Sequence, residues 1–265
     1  MEKKVTCKSV LSDTKLYGLD YSVNPYTGCR HSCRYCYAVF MKKFTGHVEE
    51  WGEFVDVKEN APEVLEEEVK NKEPGRVLLS SVTDPYQSSE KKHRITRRLL
   101  EILQRKGFSV SILTKSSLVL RDIDILKKFE HGKLSVGFTI NFSDDADRKI
   151  WEPGASTIQE RKNALESLRS EGIPTYIHVG PWLEGITNLQ RIMEETEDLI
   201  YEFQVENLNT RRKETILKVV MENYPELADR YRDILGGGKK HNKRLRRSVE
   251  KLREVSAVPV KLYID

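Results

Sequence analysis

Three cysteines, Cys29, Cys33 and Cys36, stand in the run Asn24-Pro25-Tyr26-Thr27-Gly28-Cys29-Arg30-His31-Ser32-Cys33-Arg34-Tyr35-Cys36-Tyr37-Ala38, with C-x-x-x-C-x-x-C spacing. Thiolates are the ligands of Fe–S clusters, whose irons each take a sulfur-rich tetrahedral shell. Three thiolates from one short loop hold three corners of a four-iron cluster and leave the fourth iron open to an outside ligand. An open iron is a place for chemistry. A closed structural zinc site wants four ligands, usually as two pairs, and Cys7 is the one other cysteine in the chain. A non-catalytic zinc-binding interaction module therefore stands only as an alternative. A disulfide framework fits less well, because a chain of 265 residues builds its own core.

The spacing, with Tyr35 just before the third cysteine, resembles the signature of the radical S-adenosylmethionine (radical SAM) superfamily. The fuller string resembles its spore photoproduct lyase-like branch, also termed "DNA repair photolyase"-like. The resemblance implies a 4Fe-4S cluster on Cys29, Cys33 and Cys36, with its open iron chelated by S-adenosyl-L-methionine. It also implies reductive cleavage of that cofactor to a 5'-deoxyadenosyl radical, and a low-potential ferredoxin- or flavodoxin-like electron donor. Tyr35 and Tyr37 are candidate catalytic residues, since tyrosines at these positions in the lyase relatives are linked to radical relay. Shielding the cluster from water is the commoner role for aromatics there. Spore photoproduct lyases also use a cysteine downstream of the cluster motif as hydrogen donor. None follows Cys36 here, so that route requires Cys7 to fold back into the barrel mouth.

Short apolar or β-branched runs alternate with helical patterns from the cysteine region onward, the order expected of βα units around a parallel sheet. Strands are predicted near residues 19–24, 77–82, 108–114, 134–142, 175–179 and 201–205. A helix over 61–70 has Asn60 as its cap and Pro62 in its first turn. Ile95, Leu99, Ile102 and Leu103 share one helical face. Thr157 and Glu160 form a capping-box pattern, and Asn188 caps the next helix. Six units fit a partial (βα)6 barrel, as the resemblance implies, and equally a doubly wound sheet. Residues 1–209 read as this α/β core with the cluster loop at 24–38. Residues 210–265 read as a mainly helical extension with Gly236-Gly237-Gly238 as a hinge. The last apolar run, 258–264, is a candidate edge strand.

Functional groups of βα barrels collect at the C-terminal ends of the strands. After the second strand, Ser81 and Asp84 occupy the place where many radical SAM proteins carry a Gly-Gly-Glu-like segment that recognises the SAM ammonium. An Asp-Pro turn explains Asp84 as readily. Lys115, beside Ser116 after the third strand, is the cation placed to meet the SAM carboxylate. Thr139 and Asn141 end the fourth strand on alternating positions, Gly180 follows the fifth, and Glu206 ends the sixth. These residues complete the set of cofactor-binding candidates. Asn209 has helix capping as its other reading.

The 45 Lys and Arg exceed the 41 Asp and Glu, but six of the 45 lie in Lys239–Arg247, so the rest of the chain carries a net −2. The basicity is local. Lys239–Arg247 and Lys91–Arg98 are either solvated faces or contacts for a nucleic-acid backbone. The substrate is correspondingly either a nucleic-acid base or damaged nucleotide, or a small metabolite or protein. No run of about 18 to 20 apolar residues is present to span a bilayer, and a cytoplasmic location is expected. Charged residues make up 32% of the chain, a bias that goes with surface ion-pair networks and a thermophilic source.

Overall fold

The computed structural model describes residues 1–238 and 240–264. Eleven strands are present among them: β1 (Glu2–Val5), β2 (Leu11–Asp13), β3 (Tyr21–Val23), β4 (Tyr26–Thr27), β5 (Val55–Lys58), β6 (Arg76–Leu79), β7 (Ser109–Thr114), β8 (Leu134–Thr139), β9 (Thr175–Val179), β10 (Glu202–Glu206) and β11 (Val260–Tyr263). The main sheet runs β11-β10-β9-β8-β7-β6-β3-β2, and every pairing in it is parallel except β2 on β3. The six expected strands are therefore β3 and β6 to β10. Their order follows the chain without reversal, which is barrel winding. A doubly wound sheet reverses at a switch point.

The strands stop earlier or later than the apolar runs suggest, for local reasons. β6 ends at Leu79 because Ser80 turns to φ +74°. β8 ends at Thr139, beyond which Asn141 bonds across to Gly180. Parallel strands covered on both faces must be apolar throughout, and β8 is buried at five of its six positions. The helix Ile95–Arg105 buries Ile95, Leu99, Ile102 and Leu103 as the periodicity requires. The Thr157–Glu160 capping box and the Asn188 cap both form. Asn60 instead pairs its amide with both backbone groups of Cys7, at 2.8 and 2.9 Å, and makes no cap bond.

The final apolar run forms β11, which lies parallel against β10. The preceding helices, Lys213–Asn223, Ala228–Leu235 and Lys240–Val255, place Ile216, Val220, Ile234, Leu245 and Val249 in the same hydrophobic cluster as the barrel strands. The triple glycine closes a helix. Gly237 N–H bonds to the Ile234 carbonyl and Gly238 N–H to that of Asp233, with Gly237 at φ +89°, which is a Schellman cap. Among the described residues, no helix is long and apolar enough to cross a membrane.

Candidate cluster and cofactor site

The chain leaves β3 through Asn24-Pro25, pairs briefly as β4 in a small sheet with β5 and β1, and enters the cysteine loop. Gly28 must be glycine. It sits at φ +86°, and a Cβ there would lie 2.4 Å from the Phe54 carbonyl oxygen. Its own carbonyl accepts from Thr83 Oγ1 at 2.6 Å and Gln87 Nε2 at 3.1 Å, while Arg30 N–H donates to Gln87 Oε1 at 2.9 Å. Backbone bonds Ser32 N to Cys29 O and Cys36 N to Cys33 O turn the loop. From the other side, Gly154 N–H bonds to the His31 carbonyl, His31 Nδ1 lies 3.0 Å from the Gly154 carbonyl, and Arg34 N–H bonds to the Trp151 carbonyl. The loop is clamped between the segments that follow β6 and β8. Gly28→Ala should cost roughly 1–3 kcal/mol from the backbone conformation alone. Lower iron retention after cluster reconstitution and a lower melting temperature would register it, and wild-type values in both would refute the clamp.

All three loop cysteines are free thiols lining one cavity at the C-terminal ends of the strands. Among the described residues, no three His, Cys, Asp or Glu side chains converge as ligands of a single ion. Burial pushes all three thiols up, Cys33 to about 12, and at Cys29 the neighbouring Asp84 adds to the effect. Metal loading must therefore displace protons from this loop. Cys7, between β1 and β2, is not on the cavity wall.

Of the remaining candidates, Ser81, Asp84, Lys115, Thr139, Gly180 and Glu206 line the cavity with Tyr35, Tyr37 and Asn209. Asn24 accepts from the Ser81 and Val82 N–H groups and donates to Ser81 Oγ at 3.2 Å, fixing that turn. Ser80, beside it, is buried with a hydroxyl that has no partner among the described residues. The Asp84 carboxylate is already fully engaged. It accepts from Tyr86 N, Thr114 Oγ1 and Lys115 N at 2.7–2.8 Å and lies 3.0 Å from His31 Nε2. Burial works against its charge, but His31 and these hydrogen bonds hold it down at about 2. Ser116 Oγ caps the following turn by accepting from Leu118 N, and Asn209 caps residues 210–212.

The Lys115 ammonium faces the Tyr35 ring at 5.8 Å and pairs with no carboxylate among the described residues. Burial works against its charge, but Cys33, Glu152 and Asp84 draw it above the usual lysine range. Asn141 stands behind the wall: its amide donates to Tyr35 Oη at 2.8 Å and to the Gly180 carbonyl, and its oxygen accepts from Gly180 N. Gly180 has no room for a side chain, since a Cβ would lie 2.1 Å from His178 Nε2.

Several site residues escaped the sequence reading. His178 joins the wall with Nε2 3.1 Å from Glu206 Oε2 and Nδ1 3.1 Å from Gln204 Oε1. Beneath the wall, Glu152 and Arg161 form a fully buried ion pair at 2.6 Å, and the Tyr35 hydroxyl donates to Glu152 Oε1. Arg161 also donates to the Thr139 and Ser156 carbonyls. A signal existed in its position: Ile158, Arg161, Leu165 and Leu168 fall on one helical face, all buried.

A partial parallel barrel whose C-terminal mouth holds three free cysteines, two buried and one half-buried, belongs to a known class. The chain is a member of the radical SAM superfamily, whose family model matches residues 23–199. An uncharacterised protein of Methanocaldococcus jannaschii is 36% identical over 224 residues, covering 84% of this chain and 83% of that one. The spore photoproduct lyase of Bacillus subtilis is 24% identical over 229 residues, covering 83% of this chain and 64% of the lyase. Among solved structures, a spore photoproduct lyase complexed with dinucleoside spore photoproduct superposes with a TM-score of 0.65 at 14% identity, over 100% of this chain and 82% of that one. The fold is that of the radical SAM enzymes, and the family implies a 4Fe-4S cluster and SAM.

Proposed function

We propose that this chain uses Cys29, Cys33 and Cys36 to hold a 4Fe-4S cluster, binds SAM against it, and abstracts hydrogen from a nucleic-acid base or damaged nucleotide. The observation that carries the reading is three free thiols, Cys29 and Cys33 buried and Cys36 half-buried, sharing one cavity with the half-buried ammonium of Lys115, which pairs with no carboxylate among the described residues. A cluster needs one thiolate per iron, which suits cysteines that surround a space without converging on a point. The partnerless Ser80 hydroxyl suits a donor such as an ammonium. When bound, the cluster and SAM supply a 5'-deoxyadenosyl radical after one electron arrives from a low-potential, ferredoxin- or flavodoxin-like donor.

The chain's own residues have the remaining tasks. Lys115 draws the SAM carboxylate by a charge-assisted bond. Ser80 and Ser81 accept from its ammonium, with Asp84 bracing the turn that presents them. Thr139, Gly180 and Glu206 border the space beyond, where the hydrogen-bonded pair of His178 and Glu206 presents an edge to a base. Tyr35 and Asn141 hold the wall, and Tyr35 screens Cys33 from water. Among the described residues, no cysteine other than the three in the loop lines the cavity.

Lys115→Gln should weaken SAM binding by roughly 10- to 150-fold, the value of about 1.5–3 kcal/mol for a hydrogen bond to a charged group. Equilibrium dialysis with labelled SAM on reconstituted enzyme measures it. Unchanged affinity would remove Lys115 from the reading. The reading as a whole is tested by anaerobic reconstitution, which should give about four iron and four sulfide per chain and form 5'-deoxyadenosine under a strong reductant. A reconstituted protein that leaves SAM intact would refute it.

A further inference from the structure

The loop after β9 separates two concave surfaces. Gly180 and Pro181 line the cysteine cavity. The next residue, Trp182, lines a groove of about 250 Å³ shared with Glu184, Arg244, Arg247, Ser248 and Lys251. The helix residues recur at steps of three and four, hence on one face, beside the face that buries His241, Leu245, Val249 and Leu252. The wall is held in place: the Trp182 ring stacks on that of His241 at 5.1 Å, and the Trp182 backbone N–H bonds to the Glu206 carbonyl at 2.8 Å.

The charge of this groove is uncompensated. Its one carboxylate, Glu184, is committed to His241 Nδ1 at 3.0 Å and Arg244 Nε at 2.5 Å, with Arg230 at 3.8 Å. Arg247 and Lys251 pair with no carboxylate among the described residues, and both are exposed. The other basic segment behaves differently. Arg97 is paired with Asp122 and Asp124, Arg98 with Glu63, and Lys92 and His93 with Glu2. Four of the six basic residues of Lys91–Arg98 meet carboxylates from elsewhere in the fold, Lys91 and Arg94 being the exceptions, whereas Arg247 and Lys251 in the groove both lack one among the described residues. Lys239, the first residue of the C-terminal basic patch, lies outside the described residues.

We infer that this groove binds the phosphodiester backbone of a nucleic-acid strand whose base enters the cysteine cavity, with Arg247, Lys251 and Ser248 contacting phosphate oxygens. The assignment rests on the nucleic-acid reading above and adds the subsite that holds the strand. Two unpaired cations and a hydroxyl are the groups a phosphate recruits. Arg247 and Lys251 lie four residues apart, about 6 Å along the helix axis, a step comparable to that between neighbouring phosphates of an extended strand. Consecutive residues, Pro181 and Trp182, line the two surfaces, so the groove borders the cavity across a single loop.

The test is fluorescence anisotropy of a labelled single-stranded oligonucleotide on the reconstituted full chain, titrated over a range of salt. Wild type is compared with the Arg247→Gln/Lys251→Gln double variant and with Lys218→Gln, an exposed control on another helix. Losing two phosphate contacts should reduce the slope of log affinity against log salt by about 1.4, at roughly 0.7 per phosphate for a single strand. Cleavage of SAM without substrate should stay at the wild-type rate, because neither residue touches the cavity. Strand binding by wild type with an undiminished slope in the double variant overturns the groove and leaves the nucleic-acid reading standing. Absence of salt-dependent strand binding in wild type overturns that reading, and the groove assignment with it. A nucleoside monophosphate that competes as well as the strand, and is weakened equally by the double variant, assigns the groove to a small phosphorylated ligand and overturns the backbone assignment.

Discussion

Alanine in place of Cys29, Cys33 or Cys36 is expected to abolish formation of 5'-deoxyadenosine and to leave a chain that no longer holds a stable cluster. Cys7→Ala should do neither. The size of the effect follows from the geometry of the loop. In the proposed site each thiol holds a separate iron, and Cys7, which lies away from the cavity wall, cannot replace any of the three. The loop itself should survive the substitutions, since it is held by the Gly28, Arg30, His31 and Arg34 backbone and side-chain bonds, none of which uses a sulfur. Iron and sulfide content, the visible absorption of the cluster and product formation from SAM together separate loss of cluster from loss of fold. A single variant that kept most of the wild-type rate would break the argument, as would a Cys7 variant that lost it.

The second large effect is expected at Arg161. Removing one partner of a buried ion pair leaves an uncompensated charge, at a cost of about 3–5 kcal/mol. Both Arg161 and Glu152 are fully buried. Burial alone would raise the Glu152 carboxyl, yet Arg161 and Lys115 hold it below the usual carboxylate range. In Arg161→Met the midpoint of thermal unfolding should therefore fall by roughly 6–20 °C, at about 2–4 °C per kcal/mol for a chain of this size. The Arg161→Met/Glu152→Gln double variant should recover a large part of the loss, because it removes the orphaned charge along with its partner. Arg161→Met should also loosen Tyr35, whose hydroxyl donates to Glu152, and so raise the rate at which oxygen bleaches the reconstituted cluster. Equal melting temperatures for wild type and Arg161→Met, or additive losses in the double variant, would show that the pair does not brace the site.

The local features were readable from the chain alone. The three loop cysteines fall within eight residues, helix caps within three or four, and six strand-helix alternations succeed one another in order. Such patterns need only the chirality and periodicity of the backbone. The lysine after β7 could be singled out for the same reason, as a cation at the end of an apolar strand.

What holds these groups in place was decided by folding. Gln87 reaches Arg30 across 57 positions, Tyr35 reaches Asn141 across 106 and Glu152 across 117. Asp84, read as a group for the cofactor's ammonium, meets His31, Thr114 and Lys115 and becomes a brace. Nor could the chain alone tell its two basic segments apart, because their composition is alike. One finds carboxylates from Glu2, Glu63, Asp122 and Asp124 for four of its six basic residues, while the other packs beside Trp182 with Arg247 and Lys251 unpaired among the described residues. A side chain's charge belongs to the sequence, but whether that charge is neutralised depends on which distant residue the fold brings beside it.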